Sequence, residues 1–181
     1  MPTIKLIPTL ERRAHPLASP AAQRQLLATL PVPRFSERLA ADGLGPLRAA
    51  PAITVLEINV GKRCNQTCLH CHVDAGPDRS EVMAPAVVEA ALALLERANI
   101  PTLDITGGAP ELHPQFDTIV RRARALGRRV IDRCNLTITQ LPNYAYLPAF
   151  LAEQGVEVLA SLPHYTPVGT DAQRGDGVFA Q

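Results

Sequence analysis

The pattern of apolar and polar positions divides this chain into two parts. From residue 53 onward, short runs rich in β-branched residues alternate with longer stretches in which apolar residues recur every three or four positions. The short runs predict strands at 53–60, 103–106, 129–133 and 156–161, and the longer stretches predict helices at 85–98, 114–126 and 147–154. Strands that alternate with helices favour a parallel sheet. The pattern therefore predicts an α/β fold of about four parallel strands, with helices covering one side of the sheet.

The first 50 residues are rich in Pro, Ala and Arg and lack this alternation. Ser19 and Pro20 predict the start of a helix that runs through Leu30, and Ser36 predicts the cap of a second helix that ends before Gly43. We therefore divide the chain into an N-terminal helical extension, 1–50, and a main domain, 51–181. Two interpretations of the extension stay open: a lid or brace on the main domain, and a partly disordered leader.

Composition narrows the function classes only slightly. A chain of 181 residues is long enough for one domain with a substantial core, and no apolar run approaches the length of a membrane span. A net charge of +1 gives no electrostatic reason to expect nucleic acid or a membrane as a partner. With only four cysteines and no targeting segment, the sequence indicates a reducing, cytoplasmic location.

The candidate chemistry is concentrated in the loop after the first predicted strand. Cys64, Cys68 and Cys71 are separated by three and then two residues. Cysteine thiolates hold iron–sulfur clusters, and a cubane cluster needs four ligands. Three cysteines therefore leave one iron open to a small molecule, as the open position of a catalytic zinc site does.

Other interpretations of the loop compete with the open cluster. A structural zinc site could use the three cysteines with His70 or His72. A ferredoxin-like electron carrier would need Cys134 as its fourth ligand, and a disulfide would need an oxidising compartment. The spacing favours the open cluster.

Further candidates follow the other predicted strands. Gly107 and Gly108 come after the second strand, Asn135 after the third and His164 after the fourth. In α/β barrels, the carboxyl ends of the strands form the face on which active sites are built. Because a barrel needs more than about four strands, we interpret the chain as a partial TIM-like (β/α) barrel that is truncated.

These motifs together resemble the radical S-adenosylmethionine (SAM) superfamily and, within it, the arsenosugar-biosynthesis radical SAM proteins. The resemblance covers residues 52–181. It rests on the strings NVGKRCNQTCLHCHVDAGPDRSEVM, LDITGGAPELHP, VIDRCNLT, VEVLASLPHY and QRGDGVF. The cysteine motif is typical of the superfamily, while HCHVDAGPDR, TGGAPEL and IDRCNLT indicate the subfamily.

The resemblance implies a radical SAM barrel with a [4Fe–4S] cluster on Cys64, Cys68 and Cys71. It also implies that SAM chelates the fourth iron and that Asn135 bonds the ribose or the carboxylate of SAM. His70 stands where the family places a residue against the adenine. Residues 107–110 (Gly107, Gly108, Ala109 and Pro110) stand at the family's GGEP position, where the backbone approaches the methionine amino group.

The sequence departs from the family pattern at two positions. The usual glutamate of the GGEP position is Ala109, and Glu111 follows two places later; His164 stands where the subfamily has cysteine or selenocysteine. Cys134 is either a buried small apolar residue or a thiol that meets the substrate, because trivalent arsenic is soft and seeks thiolate. Arg79 and Arg133 are either solvated or paired with the SAM carboxylate.

The implied reaction is reductive cleavage of SAM to a 5′-deoxyadenosyl radical, which adds to a dimethylated trivalent arsenical such as dimethylarsenite. It implies an electron donor such as ferredoxin or flavodoxin. The alternatives are a radical SAM reaction that abstracts hydrogen from another substrate, and a non-catalytic Cys3His zinc module. We also expect these 181 residues alone to lack turnover.

Overall fold

In the computed structural model of the protein, which describes residues 8–180, four strands form one sheet. The strands are β1 (Val55–Asn59), β2 (Thr102–Thr106), β3 (Arg129–Asp132) and β4 (Glu157–Val158). They lie in the order β1-β2-β3-β4, and each neighbouring pair is parallel. The prediction of an α/β fold with a parallel sheet is confirmed.

Six α-helices surround or precede this sheet in residues 8–180. They are α1 (Pro20–Thr29), α2 (Phe35–Ala41), α3 (Pro85–Arg97), α4 (Phe116–Ala125), α5 (Leu147–Glu153) and α6 (Pro167–Arg174). Short 3-10 turns follow β2 at Pro110–Leu112 and β3 at Thr137–Gln140. These turns and α6 were not predicted.

The two faces of the sheet differ because side chains alternate along a strand. Leu103, Ile105 and Val130 point to one face and are fully buried in the core. From the helices, the core receives Val88, Leu92, Leu95, Ile119, Val120, Phe150 and Leu151. The opposite face is charged: the Arg133 guanidinium bonds the Asp104 carboxylate at 2.7 Å and the Glu57 carboxylate at 3.3 Å.

Several predicted bounds are wrong. β1 begins at Val55 rather than at 53, and β4 has only two residues. Beyond β4 the ladder continues irregularly, because the Leu159 amide donates to the Asp132 carbonyl at 2.8 Å and the Ser161 amide donates to the Cys134 carbonyl at 2.9 Å.

Two predicted helix starts also differ. α2 begins at Phe35 and is capped from Arg34, whose amide donates to the Glu37 carboxylate at 3.1 Å, so Ser36 lies inside the helix. α4 begins at Phe116 rather than at Pro114, because the His113 ring caps the preceding turn by accepting the Gln115 amide at 3.1 Å.

Residues 9–11 of the N-terminal segment contact the main domain. Thr9 is buried and donates its hydroxyl to Asp78 at 2.8 Å, while the amides of Leu10 and Glu11 donate to the Asp74 carboxylate. Helices α1 and α2 bury none of their residues. The contacts of residues 9–11 fit a brace, and residues 1–7 lie outside the described part of the chain.

None of the helices in residues 8–180 combines the length and the apolar character needed to span a bilayer.

Candidate active site

The carboxyl ends of β1, β2 and β3 border one cavity of about 200 Å³. Of the predicted site residues, seven contribute to its wall: Cys64, Cys68, Cys71, His70, Gly107, Gly108 and Asn135. These residues come from three separate loops, and the parallel order of the strands brings the loops together. Ala109 and Pro110 are buried and do not line this cavity.

Two backbone amides in the cysteine loop point at sulfur. The Gln66 amide donates to Cys64 Sγ at 3.4 Å, and the Ala75 amide donates to Cys71 Sγ at 3.2 Å. Such bonds stabilise a thiolate and are common around metal-bound sulfur. Burial raises the pKa of Cys64 to about 11 and also raises the pKa of Cys68. A bound cation would favour the thiolate form of both.

The glycine pair is required by the chain itself. The Gly108 amide donates to the Gly61 carbonyl at 2.9 Å, and the Ala109 amide donates to the Arg63 carbonyl at 2.9 Å. A Cβ atom on Gly107 would stand 2.8 Å from the Gly61 carbonyl oxygen, and one on Gly108 would overlap the Arg63 carbonyl. Because Gly107 and Gly108 lack side chains, the loop after β2 packs against the backbone just before Cys64.

Asn135 joins the cysteine loop to the end of β3. Its side-chain amide nitrogen lies 2.7 Å from Asn65 Oδ1 and 3.7 Å from Cys64 Sγ, and its oxygen accepts the Ile138 amide at 3.1 Å. Asn135 thus positions Cys64 as well as lining the cavity. A contact with SAM stays a prediction.

Both histidines of the cysteine loop are exposed and line the same cavity as the thiols. His70 could face an adenine there, as the family resemblance implies. The same location lets either His70 or His72 complete a Cys3His set. The loop therefore accommodates a Cys3His zinc site as well as a cluster.

Arg174 was matched within a motif but was not predicted as a site residue. It lines the cavity, is only 4% exposed, and donates to the Ser161 hydroxyl and, at 3.5 Å, to the Asn135 carbonyl. No carboxylate pairs with it among residues 8–180, and its charge opposes the effect of burial on the pKa of Cys68. Thr166-Pro167 could have predicted the start of α6, the helix whose last residue is Arg174.

Gln66 is a second residue that sequence reasoning missed. It is 3% exposed and lines the cavity, yet neither its amide oxygen nor its amide nitrogen has a hydrogen-bond partner within the described chain. A buried amide without partners costs free energy, so such a group is typical of a site that receives a polar ligand.

Cys134 lies outside this cavity. It is 1% exposed, and its sulfur lies within 4.8 Å of carboxylate oxygens of Glu111 and Asp132. Burial and these carboxylates raise the pKa of Cys134, and burial likewise raises the pKa values of both acids. The location favours the buried interpretation of Cys134, and its contact with substrate stays a prediction.

The two arginines weighed for the SAM carboxylate already have partners. Arg79 forms ion pairs with Asp74, Glu81 and Glu11, away from the cavity wall. Arg133 lines the cavity while its guanidinium bonds Asp104 and Glu57.

The donor set fits a cubane cluster with one open iron. Three free thiols face one cavity, and two of their sulfurs accept hydrogen bonds from backbone amides. Cys134 does not reach the cavity as a fourth ligand. The buried Gln66 amide and the Arg174 guanidinium, which pairs with no carboxylate among residues 8–180, add polar groups suited to a carboxylate- and amine-bearing ligand.

Comparison with known proteins points to the same family. The sequence profile of the radical SAM superfamily matches residues 58–167, more than half of the chain. A probable GTP 3′,8-cyclase from Pyrococcus abyssi is 32% identical over 72 residues, which are 40% of this chain and 24% of that protein. The pre-heme d1 synthase of Dinoroseobacter shibae is 35% identical over 71 residues, 39% of this chain and 18% of that protein.

The fold resembles a solved structure of a larger protein. The crystal structure of Streptococcus suis SuiB bound to S-adenosylmethionine aligns with 91% of this chain and 36% of that chain, with a TM-score of 0.56 and 17% identity. The chain thus spans about a quarter of the first curated relative and about a third of this structure. Superfamily members use a [4Fe–4S] cluster and SAM. The chain belongs to the radical SAM superfamily.

Proposed function

We propose that this chain is part of a radical SAM enzyme in which Cys64, Cys68 and Cys71 bind a [4Fe–4S] cluster and SAM binds beside it. The single observation that supports this most is the convergence of the three thiols, the glycine pair and Asn135 on one cavity. When bound, a reduced cluster and SAM together supply one-electron cleavage of the sulfonium to a 5′-deoxyadenosyl radical.

The chain's own residues would hold and orient these groups. The three thiolates would hold the cluster and leave one iron free for SAM. Arg174 provides a buried positive charge toward that carboxylate, and Gln66 provides an amide that lacks a partner within the described chain. His70 would lie against the adenine, while Gly107 and Gly108 keep the wall beside the methionine moiety free of side chains.

As substrate we propose a dimethylated trivalent arsenical, with transfer of the 5′-deoxyadenosyl group to arsenic. The support is the resemblance of HCHVDAGPDR, TGGAPEL and IDRCNLT to arsenosugar-biosynthesis proteins. In this proposal Cys134 would meet arsenic only if its sulfur became exposed, because it is now 1% exposed. His164, whose ring bonds the Thr166 hydroxyl at 2.9 Å, stands where the subfamily has a softer ligand.

A second candidate is a radical SAM reaction on another substrate. The observation that favours it is the similarity to proteins named GTP 3′,8-cyclase and pre-heme d1 synthase, each over about 70 residues. Because relatives with such different names match similar lengths of this chain, we also propose a substrate other than an arsenical.

Two further proposals concern setting and organisation. Because the cysteines are free thiols, we propose a reducing compartment such as the cytoplasm, with ferredoxin or flavodoxin as the electron donor. We also propose that residues 1–50 form an extension that braces the main domain, 51–181, since residues 9–11 bond the loop that follows the cysteines.

Electron paramagnetic resonance tests the cofactor proposal. The 181-residue chain is reconstituted anaerobically, reduced with dithionite and measured with and without SAM. We expect a cubane-cluster signal that changes when SAM is added. A silent sample with stoichiometric zinc would instead make the loop a structural Cys3His site.

Product analysis then tests the substrate. Reduced protein is incubated with SAM and dimethylarsenite, and products are identified by mass spectrometry. A 5′-deoxyadenosyl arsenical supports the arsenic proposal, while free 5′-deoxyadenosine without that product selects the second candidate. Cys134→Ser separates the roles of that thiol, because a substrate contact predicts loss of the arsenical with cleavage of SAM retained.

A further inference from the structure

A second cluster of ligand-type side chains lies behind the carboxyl end of β3. Glu111 belongs to the 3-10 turn after β2, Asp132 is the last residue of β3, and Cys134 follows two places later. One carboxylate oxygen from each acid and the sulfur of Cys134 all lie within 4.8 Å of one another. Cys134 and both acids lie outside the wall of the cavity lined by the other three cysteines. The cluster is therefore separate from the proposed cofactor site.

The cluster is deeply buried, and its carboxylates lack hydrogen-bond partners within residues 8–180. Glu111 is 3% exposed, Asp132 is 0% exposed and Cys134 is 1% exposed. None of the four carboxylate oxygens accepts a hydrogen bond within residues 8–180. Ionising a buried acid that has no partner costs roughly several kcal/mol of folding free energy. The two acids are therefore either protonated or balanced by a bound cation.

Arg133 and His113, the basic residues next to the acids in sequence, are engaged elsewhere. Arg133 follows Asp132 directly, but side chains alternate along a strand, and its guanidinium bonds Asp104 on the opposite face at 2.7 Å. The His113 ring lies 3.0 Å from the Met83 carbonyl and accepts the Gln115 amide. Neither residue neutralises the acids.

The sulfur of Cys134 has the same backbone environment as a predicted cluster ligand. The Leu136 amide donates to Cys134 Sγ at 3.2 Å, and the Gln66 amide donates to Cys64 Sγ at 3.4 Å. In both cases the donor lies two residues after the cysteine. An amide donated to sulfur stabilises the thiolate that a metal requires.

We propose that Glu111, Asp132 and Cys134 form a second metal site that binds one divalent transition-metal ion, with Zn²⁺ as the occupant. A thiolate with two carboxylates suits zinc and is unsuited to Mg²⁺ or Ca²⁺, which prefer oxygen ligands alone. Ligand atoms around tetrahedral zinc stand roughly 3.4 Å apart, given bonds of about 2.0–2.3 Å. The observed ligand atoms lie within 4.8 Å of one another, so zinc binding would draw them closer together.

The position of the site gives it a structural role. It ties the turn after Gly107 and Gly108 to the end of β3, from which Asn135 extends to Cys64. The ion would link these two loops behind the cofactor cavity. Because the ligands are buried, the ion binds as the chain folds.

The test uses a chain in which Cys64→Ala, Cys68→Ala and Cys71→Ala remove the proposed cluster ligands. Cys134 is then the only cysteine left, since the sequence has four. We expect about one zinc per chain by elemental analysis. After refolding with Co²⁺, we expect a sulfur-to-cobalt charge-transfer absorption, which can arise only from Cys134.

Single substitutions in that background identify the ligands. Glu111→Gln, Asp132→Asn and Cys134→Ser should each lower zinc affinity at least about tenfold, and Cys134→Ser should abolish the cobalt–sulfur band. Asp104→Asn is the matched control, because Asp104 is a buried strand carboxylate that already pairs with Arg133. It should leave the zinc content unchanged.

A folded parent chain that shows neither zinc nor the cobalt–sulfur band would overturn the proposal. Zinc that persists through all three substitutions would overturn it as well, because the ion would then lie elsewhere. If a substituted chain fails to fold, the presence or absence of the cobalt–sulfur band in the parent chain with the three alanines still tests the proposal. The test uses a chain without cluster ligands, so its outcome is independent of the proposed radical SAM function.

Discussion

Cys64, Cys68 and Cys71 face the cavity from one loop, while Cys134 lies behind it. We therefore expect an alanine at any of the three loop positions to remove most of the iron bound after reconstitution. Cys134→Ser should leave the iron content of the reconstituted chain unchanged. Iron and sulfide analysis measures both. Loss of iron in Cys134→Ser would indicate a ferredoxin-like cluster with four cysteine ligands.

The charge of Arg174 acts on the cluster at short range. Its guanidinium is buried beside Cys68, where charge–charge interactions are poorly screened. Removing a positive charge there makes reduction of the cluster harder. Arg174→Gln should therefore shift the reduction potential of the cluster negatively, by on the order of tens of millivolts.

Redox titration followed by electron paramagnetic resonance measures that shift. Arg133→Gln is the control, since Arg133 also lines the cavity but its charge is paired with Asp104 and Glu57. Its effect on the potential should be smaller. Equal shifts in the two variants would contradict a specific role for Arg174.

Glu81 predicts a pH dependence of stability. Hydrogen bonding to Arg79 lowers the pKa of Glu81 from its ordinary value near 4.5 to about 2. Because the pKa is lower in the folded chain, the stabilisation is present above about pH 5 and is lost as the pH falls toward 2. The free energy of unfolding of Glu81→Gln should therefore lie below that of the parent near pH 7, and the difference should shrink in acid.

Urea unfolding at several pH values, in the background that lacks the three loop cysteines, measures the effect. Glu153→Gln is the control, because Glu153 is exposed and forms no ion pair in the described chain. A difference that stays constant between pH 7 and 3 would show that the pair with Arg79 is not its source.

At the scale of elements, the loop after β2 packs closely against the segment that follows β1. A Cβ atom on Gly108 would overlap the carbonyl oxygen of Arg63 and stand 2.9 Å from that of Lys62. Because backbone atoms cannot move aside as a flexible side chain can, Gly108→Ala should lower the free energy of unfolding by about 1–3 kcal/mol.

Chemical denaturation with Gly45→Ala as the control tests this prediction. A Cβ atom on Gly45 would have no neighbour within 4 Å. Gly45→Ala should change stability little. A Gly108→Ala chain as stable as its parent would mean that the loop after β2 shifts readily.

The sheet explains why the site forms where it does. Parallel order places the carboxyl ends of β1, β2 and β3 side by side, so the loops that follow them meet. Helix α6 then closes the wall, because it ends at Arg174 and its Gln173 carbonyl accepts the Leu69 amide at 2.8 Å.

At the scale of the whole molecule, the described part of the extension bonds the main domain through residues 9–11. Thr9, Leu10 and Glu11 bond the loop around Asp74 and Asp78, while α1 and α2 bury none of their residues. Deleting residues 1–50 should therefore leave a folded chain whose Tm is lower by about 2–8 °C. Circular dichroism during heating measures this. An unfolded 51–181 chain would show that the extension belongs to the core domain.

The sequence alone determined the order and type of the main elements, because apolar periodicity is a local property. It predicted the parallel sheet, α3, α4 and α5, and the spacing of three cysteines led to the prediction of a cluster-binding loop. The predicted lengths of β1 and β4 were wrong, because pairing with neighbouring strands determines them. The predicted start of α4 was wrong, because the His113 ring caps the preceding turn.

Only the tertiary structure decided which residues meet across the chain. Cys134 is buried beside Glu111, which is 23 positions away along the chain, and beside Asp132. Arg174 approaches Cys68, which is 106 positions away. No local pattern encodes such pairs, because side-chain direction depends on how strands and helices pack. The spacing of the cysteines thus predicted the chemistry of the loop, and the packing of the sheet decided what surrounds it.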